Sequence, residues 1–342
     1  MNAPANSPVM PAPKPFTPGQ AVLSVRHLSV RFPTRNGLLR AVEDLSLDVP
    51  RGAVLAIVGE SGSGKSVLSR AIMRLLPKHA DIPREASIQF GNLDLLREPE
   101  SVLRQIRGDR IGMVFQDPMT SLNPVRTIGS QLTEGMRRHL CLDARAAKNR
   151  TIDLLRQVGI PSPERRYEQY PHQLSGGMRQ RIVIAMAIAC HPDLLIADEP
   201  TTALDVTIQA EILELLRRLR SEQSMTMILI THDLGVAAEQ ADEIAVMYAG
   251  QVVERAATAD LFNSPRMPYT GALLRALPAL TDPPHARLYA IGGSPPVVVG
   301  EPRGCRFAPR CERAAPRCHA DSPPLIAEHG RSFRCWNPLE AP

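Results

Sequence analysis

A strand, a glycine-rich turn and a helix that opens on Lys-Ser constrain this chain more than any other stretch. Val54-Leu55-Ala56-Ile57-Val58 is an unbroken apolar run of strand length, and GESGSGKS, Gly59 to Ser66, follows it directly. Apolar residues then fall at Val67, Leu68, Ala71, Ile72, Leu75 and Leu76, a helical spacing that Pro77 stops. This is the P-loop arrangement. Its glycines let successive backbone N–H groups point into one concavity, and the helix N-terminus adds partial positive charge there. Phosphate oxygens fit such a concavity. The residues expected to bind nucleotide are Gly59, Glu60, Ser61, Gly62, Ser63, Gly64, Lys65 and Ser66. Lys65 is placed to reach the β- and γ-phosphates and the Ser66 hydroxyl to hold magnesium.

The chain has 342 residues, enough for one large domain and a smaller one. Its longest apolar run, Ile182 to Cys190, is too short to cross a bilayer. Residues 1–20 carry six prolines and no basic start before an apolar core, so they are expected to be a disordered leader and not a secretory signal. A cytosolic protein, or one held on the cytosolic face of a membrane by a partner, is the expectation. The net charge of +5 comes mostly from arginines interleaved with acids, a pattern of solvated surface. Aromatic residues make up only 4%, too few to stack bases along a single strand, so no nucleic-acid partner is expected.

Leu23, Val25, Leu28 and Val30, the turn Arg35-Asn36-Gly37 and the alternating Leu45–Val49 run predict a strand pair before the loop. Further short apolar strands are expected at 111–115, 194–198, 227–232 and 244–247. A helix over Arg145–Val158, capped by Gly159, and another over Val206–Arg220 lie among them. Strands alternating with helices argue for a mostly parallel α/β sheet covered by helices. The helical and polar stretch from about 119 to 174 reads as an inserted subdomain within a unit spanning 21–260. From 261 to 342 the texture changes to a proline-rich extension; fourteen of the 32 prolines lie between Pro265 and Pro342. That region cannot build much of a core alone, so a bound metal or cross-link would have to help. Cys141 and Cys190 stand alone and read as inert, partly buried thiols.

Two further stretches carry chemistry. LLIADE, Leu194 to Glu199, sets two acids at a strand end, on the ligand edge of a parallel sheet beside the P-loop. Asp198 is suited to magnesium, and Glu199 to polarising a water that attacks the γ-phosphate. LSGGMRQ, Leu174 to Gln180, opens a second helix on Ser175, Gly176 and Gly177. One nucleotide has no use for two phosphate-binding helix starts so far apart in sequence. This one, with Gln180, is therefore expected to bind the phosphate of a nucleotide held by another protomer.

GESGSGKS, Gln116, LSGGMRQR, LLIADEP, Ala203-Leu204-Asp205 and His232 occur in the order of the ATPase cassettes of the ABC family. They resemble its Walker A, Q-loop, signature, Walker B, D-loop and H-loop over residues 22–256. The resemblance implies an antiparallel β-subdomain beside the parallel sheet. It also implies that Gln116 contacts magnesium and the attacking water, that His232 contacts the γ-phosphate, and that Asp205 organises a dimer interface. The family stacks an aromatic residue on adenine, and Phe32 is the candidate here, although Asn36–Leu39 look like an insertion that could shift the contact.

FQDPMTSLNP, IGGSPP and the segment Gly304-Cys305-x-Phe307-x-Pro309-Arg310-Cys311 resemble the ATP-binding subunits of oligopeptide and dipeptide importers. In that group four C-terminal cysteines are thought to ligate a 4Fe-4S cluster. Cys305, Cys311, Cys318 and Cys335 stand as C-x5-C-x6-C-x16-C, without the C-x2-C knuckle of common zinc sites. Four thiolates suit an iron–sulfur cluster; zinc is the alternative. Arg306, Arg310, Arg313, Arg317 and Arg334 are expected to offset the cluster's negative charge. The resemblance implies a magnesium-dependent ATPase peripheral to the cytoplasmic face of the inner membrane. Its partners would be two integral membrane permeases, a second cassette (a copy or a related chain) and, indirectly, an extracytoplasmic substrate-binding protein. Nickel, glutathione and antimicrobial peptides are alternative cargoes. A soluble ABC ATPase is a rival, but the stretch between Lys65 and Leu174 leaves no room for a long coiled coil. A P-loop kinase or GTPase would leave LSGG and His232 without purpose.

Overall fold

The computed structural model describes residues 21–202, 204–277 and 289–340. The expected leader, 1–20, and Ala203 lie outside them. Twelve strands are numbered in chain order. Ala21–Thr34 (β1) and Gly37–Pro50 (β2) form the expected hairpin around Arg35-Asn36, and Ser87–Phe90 (β4) and Leu93–Asp94 (β5) extend it into an antiparallel sheet of order β2-β1-β4-β5. The other strands are Val54–Val58 (β3), Ile111–Val114 (β6), Leu194–Asp198 (β7), Thr226–Thr231 (β8), Glu243–Tyr248 (β9), Gln251–Ala257 (β10), Ile326–Glu328 (β11) and Arg331–Phe333 (β12). They make a second sheet of order β11-β12-β10-β9-β3-β8-β7-β6.

The five strands read from the sequence, β3, β6, β7, β8 and β9, are its parallel part, running from β9 to the edge strand β6. Every residue of β3 and β7 is buried, as unbroken Val/Ile/Leu runs require when both faces of a sheet are covered. Along β3 the side chains alternate. Leu55 and Ile57 pack toward the antiparallel sheet, while Val54 joins the helices of the 118–188 block and Ala56 and Val58 face the C-terminal residues. The helix Val206–Gln223 buries Ile212, Leu215, Leu216 and Leu219 along one stripe. Helices at Pro118–Ser121, Ile128–His139, Ala144–Gln157 and Pro163–Tyr167 occupy the stretch expected to be a helical insertion. Among the described residues no helix is long and apolar enough to cross a membrane.

Three expectations change. The helix after the P-loop spans Lys65–Ile72 and stops before Pro77. Arg74 adopts φ 50°, and the Arg74 and Leu75 amides donate to the Ala71 and Arg70 carbonyls at 2.9 and 2.7 Å, a Schellman closure that leaves Leu75 exposed. Cys141 is exposed, whereas Cys190 is buried and its thiol pKa is pushed up to about 11 by desolvation. Finally, the proline-rich extension is no separate unit poor in core. Phe333 pairs with Glu254 across β12 and β10, and Phe307 and Phe333 pack with Tyr248 and Tyr269 in one buried cluster. The extension borrows the cassette's core.

Candidate active site

The C-terminal ends of β3, β6, β7 and β8 open on one edge of the large sheet, where ligands of such sheets collect. β3 runs into the P-loop. Gly59 (φ 152°) and Gly64 (φ 103°) pass so close to backbone that an added Cβ would lie 2.1 Å from the Met247 carbonyl oxygen and 2.3 Å from that of Ala41. Only glycine fits at either position. Gly64 caps the Lys65–Ile72 helix, and the hydroxyl of Ser63 is buried without a protein partner, a polar atom left for a ligand. Ser61 to Val67 line a cavity of about 500 Å³ together with Phe32, Gln116, Glu199 and Pro295–Val298. Phe32 therefore stands in the same cavity as the loop. Pro295, Pro296 and Val297 of the extension line the same cavity, brought there because Arg40 N–H donates to the Val298 carbonyl (2.9 Å) and Gly300 N–H to that of Leu38 (3.0 Å) along the edge of β2.

Asp198 ends β7, which is not beside β3: β8 runs between them. The P-loop helix bridges the gap. Ser66 Oγ donates to one Asp198 carboxylate oxygen and Ser69 Oγ to the other, both at 3.1 Å. Ser69 was not among the expected site residues, though it lies three residues after Ser66 on the same helix face. Burial raises the pKa of Asp198 against the lowering effect of those two hydroxyls, and burial lowers that of Lys65, whose Nζ donates to the carbonyls of Gly59 (2.7 Å) and Glu60 (3.1 Å). The Ser66 hydroxyl, which lines the cavity, and the buried Asp198 carboxylate behind it fit magnesium, which commonly takes one or two carboxylates and completes its shell with substrate phosphate and water. Among the described residues no group of three or more His, Cys, Asp or Glu side chains is arranged to hold a metal ion without such help.

Glu199 is the centre of a polar knot. Its backbone takes φ 47°, a region L residues seldom occupy and one that recurs where a side chain must be aimed. Oε2 accepts from Gln116 Nε2 at 3.0 Å and from Thr202 Oγ1 at 2.8 Å, and His232 Nδ1 lies 3.5 Å away. Gln116 and His232 thus converge on Glu199 from the ends of β6 and β8. Thr202 escaped the sequence reading, since no spacing or periodicity marks a threonine in a turn.

The second helix start is Gly176–Ile188, capped by Ser175, whose Oγ accepts from Met178 N–H at 3.3 Å. Ser175 and Gly176 are exposed. A Cβ on Gly177 would meet Ile208 at 2.9 Å, so this glycine also serves helix packing. Gln180 departs from its expected role: it is 2% exposed and its amide donates to the Pro200 carbonyl at 2.6 Å. It ties the helix to the turn after Glu199 and does not face outward. Asp205 is exposed and caps the helix that follows, accepting from Ile208 N–H at 3.0 Å.

The four C-terminal cysteines are free thiols close enough to influence one another electrostatically, but among the described residues no three of them are arranged to hold a metal ion. Burial raises the pKa of Cys305, Cys311 and Cys335, the last to about 11, and the neighbouring thiols raise each further. Backbone N–H groups of Phe307 and Ala308 point at the Cys305 sulfur, that of Arg313 at Cys311 and that of Asn337 at Cys335. The arginines mostly have other work. Arg306 lies 3.7 Å from Glu43, Arg310 pairs with Glu60, Arg317 stacks on Trp336 at 3.5 Å, and Arg334 lies 3.4 Å from Asp44. Arg313 lowers the pKa of Cys311.

The chain resembles known proteins along most of its length. A family model described as "ABC transporter" matches residues 42–202, and one described as "Oligopeptide/dipeptide transporter, C-terminal region" matches 253–318. The dipeptide transport ATP-binding protein DppD of Haemophilus influenzae is 50% identical, covering 93% of this chain and 96% of its own, and that of Escherichia coli is 50% identical, covering 94% and 98%. The oligopeptide transport ATP-binding protein OppD of Bacillus subtilis is 49% identical over 89% of this chain and 85% of its own. Among solved structures, the ATP-binding cassette MJ0796, a dimer bound to ADP and Pi, superposes with TM-score 0.62 at 28% identity, covering 69% of this chain and 98% of that one. The chain belongs to the ATP-binding subunits of ABC transporters, in their oligopeptide and dipeptide branch.

Proposed function

We propose that this chain is the ATP-hydrolysing subunit that powers import of dipeptides or oligopeptides. The observation that carries the reading is the knot on Glu199, which lines one cavity with Lys65 and Ser66, the latter bonded to Asp198. In this reading the P-loop amides and Lys65 hold the β- and γ-phosphates. Ser66 and Asp198 hold magnesium, which when bound neutralises phosphate charge. Glu199, fixed by Gln116 and Thr202, takes the proton of a water as that water attacks the γ-phosphorus and ADP leaves. His232 stands next to the same phosphate and Phe32 against the adenine.

The exposed Ser175–Gly176 helix start covers the triphosphate of a second cassette, and Asp205 lies at the seam between the two. ATP binding favours the closed pair and hydrolysis lets it part. Two integral membrane permeases, served by an extracytoplasmic binding protein, convert that motion, delivered at the cytoplasmic face of the inner membrane, into import. Deletion of this chain should abolish uptake of labelled di- or oligopeptides, and the wild-type gene should restore it. Undiminished peptide uptake in the deletion, alongside lost uptake of nickel or glutathione, would refute the peptide cargo.

The four thiols we assign to a 4Fe-4S cluster. Supporting this are their mutual electrostatic influence and the backbone amides that act on three of the sulfurs. Bound iron would draw the raised thiol pKa values down and hold the sulfurs as thiolates. Anaerobically purified protein should be brown, with iron and acid-labile sulfide that Cys335→Ser removes. Colourless protein carrying zinc would overturn the assignment.

A further inference from the structure

Glu60 is an oddity in a loop built for phosphate. It places a carboxylate in a segment that must receive the negative charges of a triphosphate, and left alone it would repel them. Ser61 to Ser66 line the cavity, whereas Glu60 does not. Its carboxylate is turned away and taken by Arg310 of the extension, 250 residues later. Arg310 Nη1 donates to Glu60 Oε2 at 2.7 Å and Nη2 to Oε1 at 2.9 Å, a two-bond fork. The arginine side chain is only 5% exposed, so water screens the pair weakly.

The rest of the guanidinium is fixed as well. Its Nε donates to the Gly292 carbonyl at 2.7 Å, and Nη1 lies 3.3 Å from the Tyr248 hydroxyl, whose ring it also faces. Glu60 is held by its backbone too: its N–H donates to the Tyr269 hydroxyl at 3.1 Å and its carbonyl accepts from Lys65 Nζ at 3.1 Å. Arg310 is next in sequence to Cys311, at the end of the short turn Ala308–Arg310.

We propose that Arg310 is a positioning residue of the nucleotide site: it cancels and withdraws the Glu60 carboxylate, so the phosphate loop is completed by the C-terminal extension. The cassette core supplies the amides and Lys65; the extension supplies the charge that makes this particular loop sequence compatible with a triphosphate. The proposal rests on the ATP-binding reading and does not need the cluster.

The test is nucleotide titration of the purified full-length chain by calorimetry, with ATP, ADP and adenosine. Arg310→Met should weaken ATP and ADP by about tenfold, through an uncompensated carboxylate beside the phosphates, and leave adenosine unchanged. Glu60→Gln with Arg310→Met in one chain removes both charges and should return ATP to within about threefold of wild type. Wild-type ATP affinity in Arg310→Met would overturn the proposal. So would a double variant as weak as the single one, since that would make Arg310 a structural staple only. A wild-type chain that binds no ATP would overturn the ATP-binding reading itself, a result distinct from either.

Discussion

Replacing Glu199 with glutamine separates its chemistry from its structure. Glu199 Oε2 accepts two hydrogen bonds, from Gln116 Nε2 at 3.0 Å and Thr202 Oγ1 at 2.8 Å, and a glutamine carbonyl oxygen can accept both. The backbone at φ 47° is equally demanding of either residue, because the two differ only at the side-chain tip. Folding stability and ATP affinity should therefore change little. What is lost is the capacity to accept a proton, and removal of a general base costs about 10²–10⁴ in rate. At about 1.36 kcal/mol per decade, that is a barrier higher by ~2.7–5.4 kcal/mol. The assay is phosphate release by the assembled transporter under saturating ATP, beside the Kd for ATP and the size of the complex by light scattering. Slow turnover with retained ATP and a persistent closed pair is the expected result. Turnover within threefold of wild type would refute the assignment of Glu199. Equal losses of rate and affinity would mean that the side chain shapes the pocket and does not act as a base.

Other perturbations follow from the same geometry. Thr202→Val removes one hydroxyl donor to a carboxylate, worth about 1.5–3 kcal/mol, so kcat should fall tenfold or more while the Kd for ATP holds. Asp198→Asn should raise the thermal midpoint of the nucleotide-free chain at pH 7 by about 2 °C while abolishing magnesium-dependent hydrolysis. The sign follows from burial, which raises the pKa of Asp198 on folding. The ionised acid therefore opposes folding above its folded pKa, and the wild type regains that stability as pH falls toward the unfolded carboxylate value. The gain from asparagine, read by calorimetry across pH, should vanish on acidification. Phe32→Ala should weaken ATP about threefold to tenfold, with no effect on inorganic tripolyphosphate, because an aromatic ring lining the cavity can stack on a base but offers nothing to a phosphate.

Much of the site was legible because its parts are local. The P-loop needs contiguous residues with particular backbone freedom, and Gly59 and Gly64 carry that need in their identity. Parallel strands with both faces covered are apolar throughout, so the runs 54–58, 111–115, 194–198, 227–232 and 244–247 could be read from the sequence to within a residue of the strand ends. Ser175, Asp205 and Gly159 likewise mark helix ends, since capping acts within a few residues.

What depended on distant residues could not be read this way. The order β3-β8-β7 put a strand between the P-loop strand and Asp198, and only the length of the Ser66–Ser69 helix face joined them. Gln180 turned inward because the Pro200 carbonyl offered a partner across the packed helix. Arginines expected to face the cysteines were drawn to Glu43, Glu60 and Asp44 instead, for ion pairs depend on proximity in space and leave no period in sequence. The proline-rich extension was short of core by composition, yet Phe307 and Phe333 found one against Tyr248 and Tyr269. The sequence by itself determined the phosphate loop, the strands that carry it and the acids at their ends, since each is set by neighbours along the chain. Tertiary structure decided which of those acids meets which hydroxyl, and that an arginine from the far end of the chain reaches Glu60 in the loop, because sheet order and buried charge pairing are fixed only when the whole chain has folded.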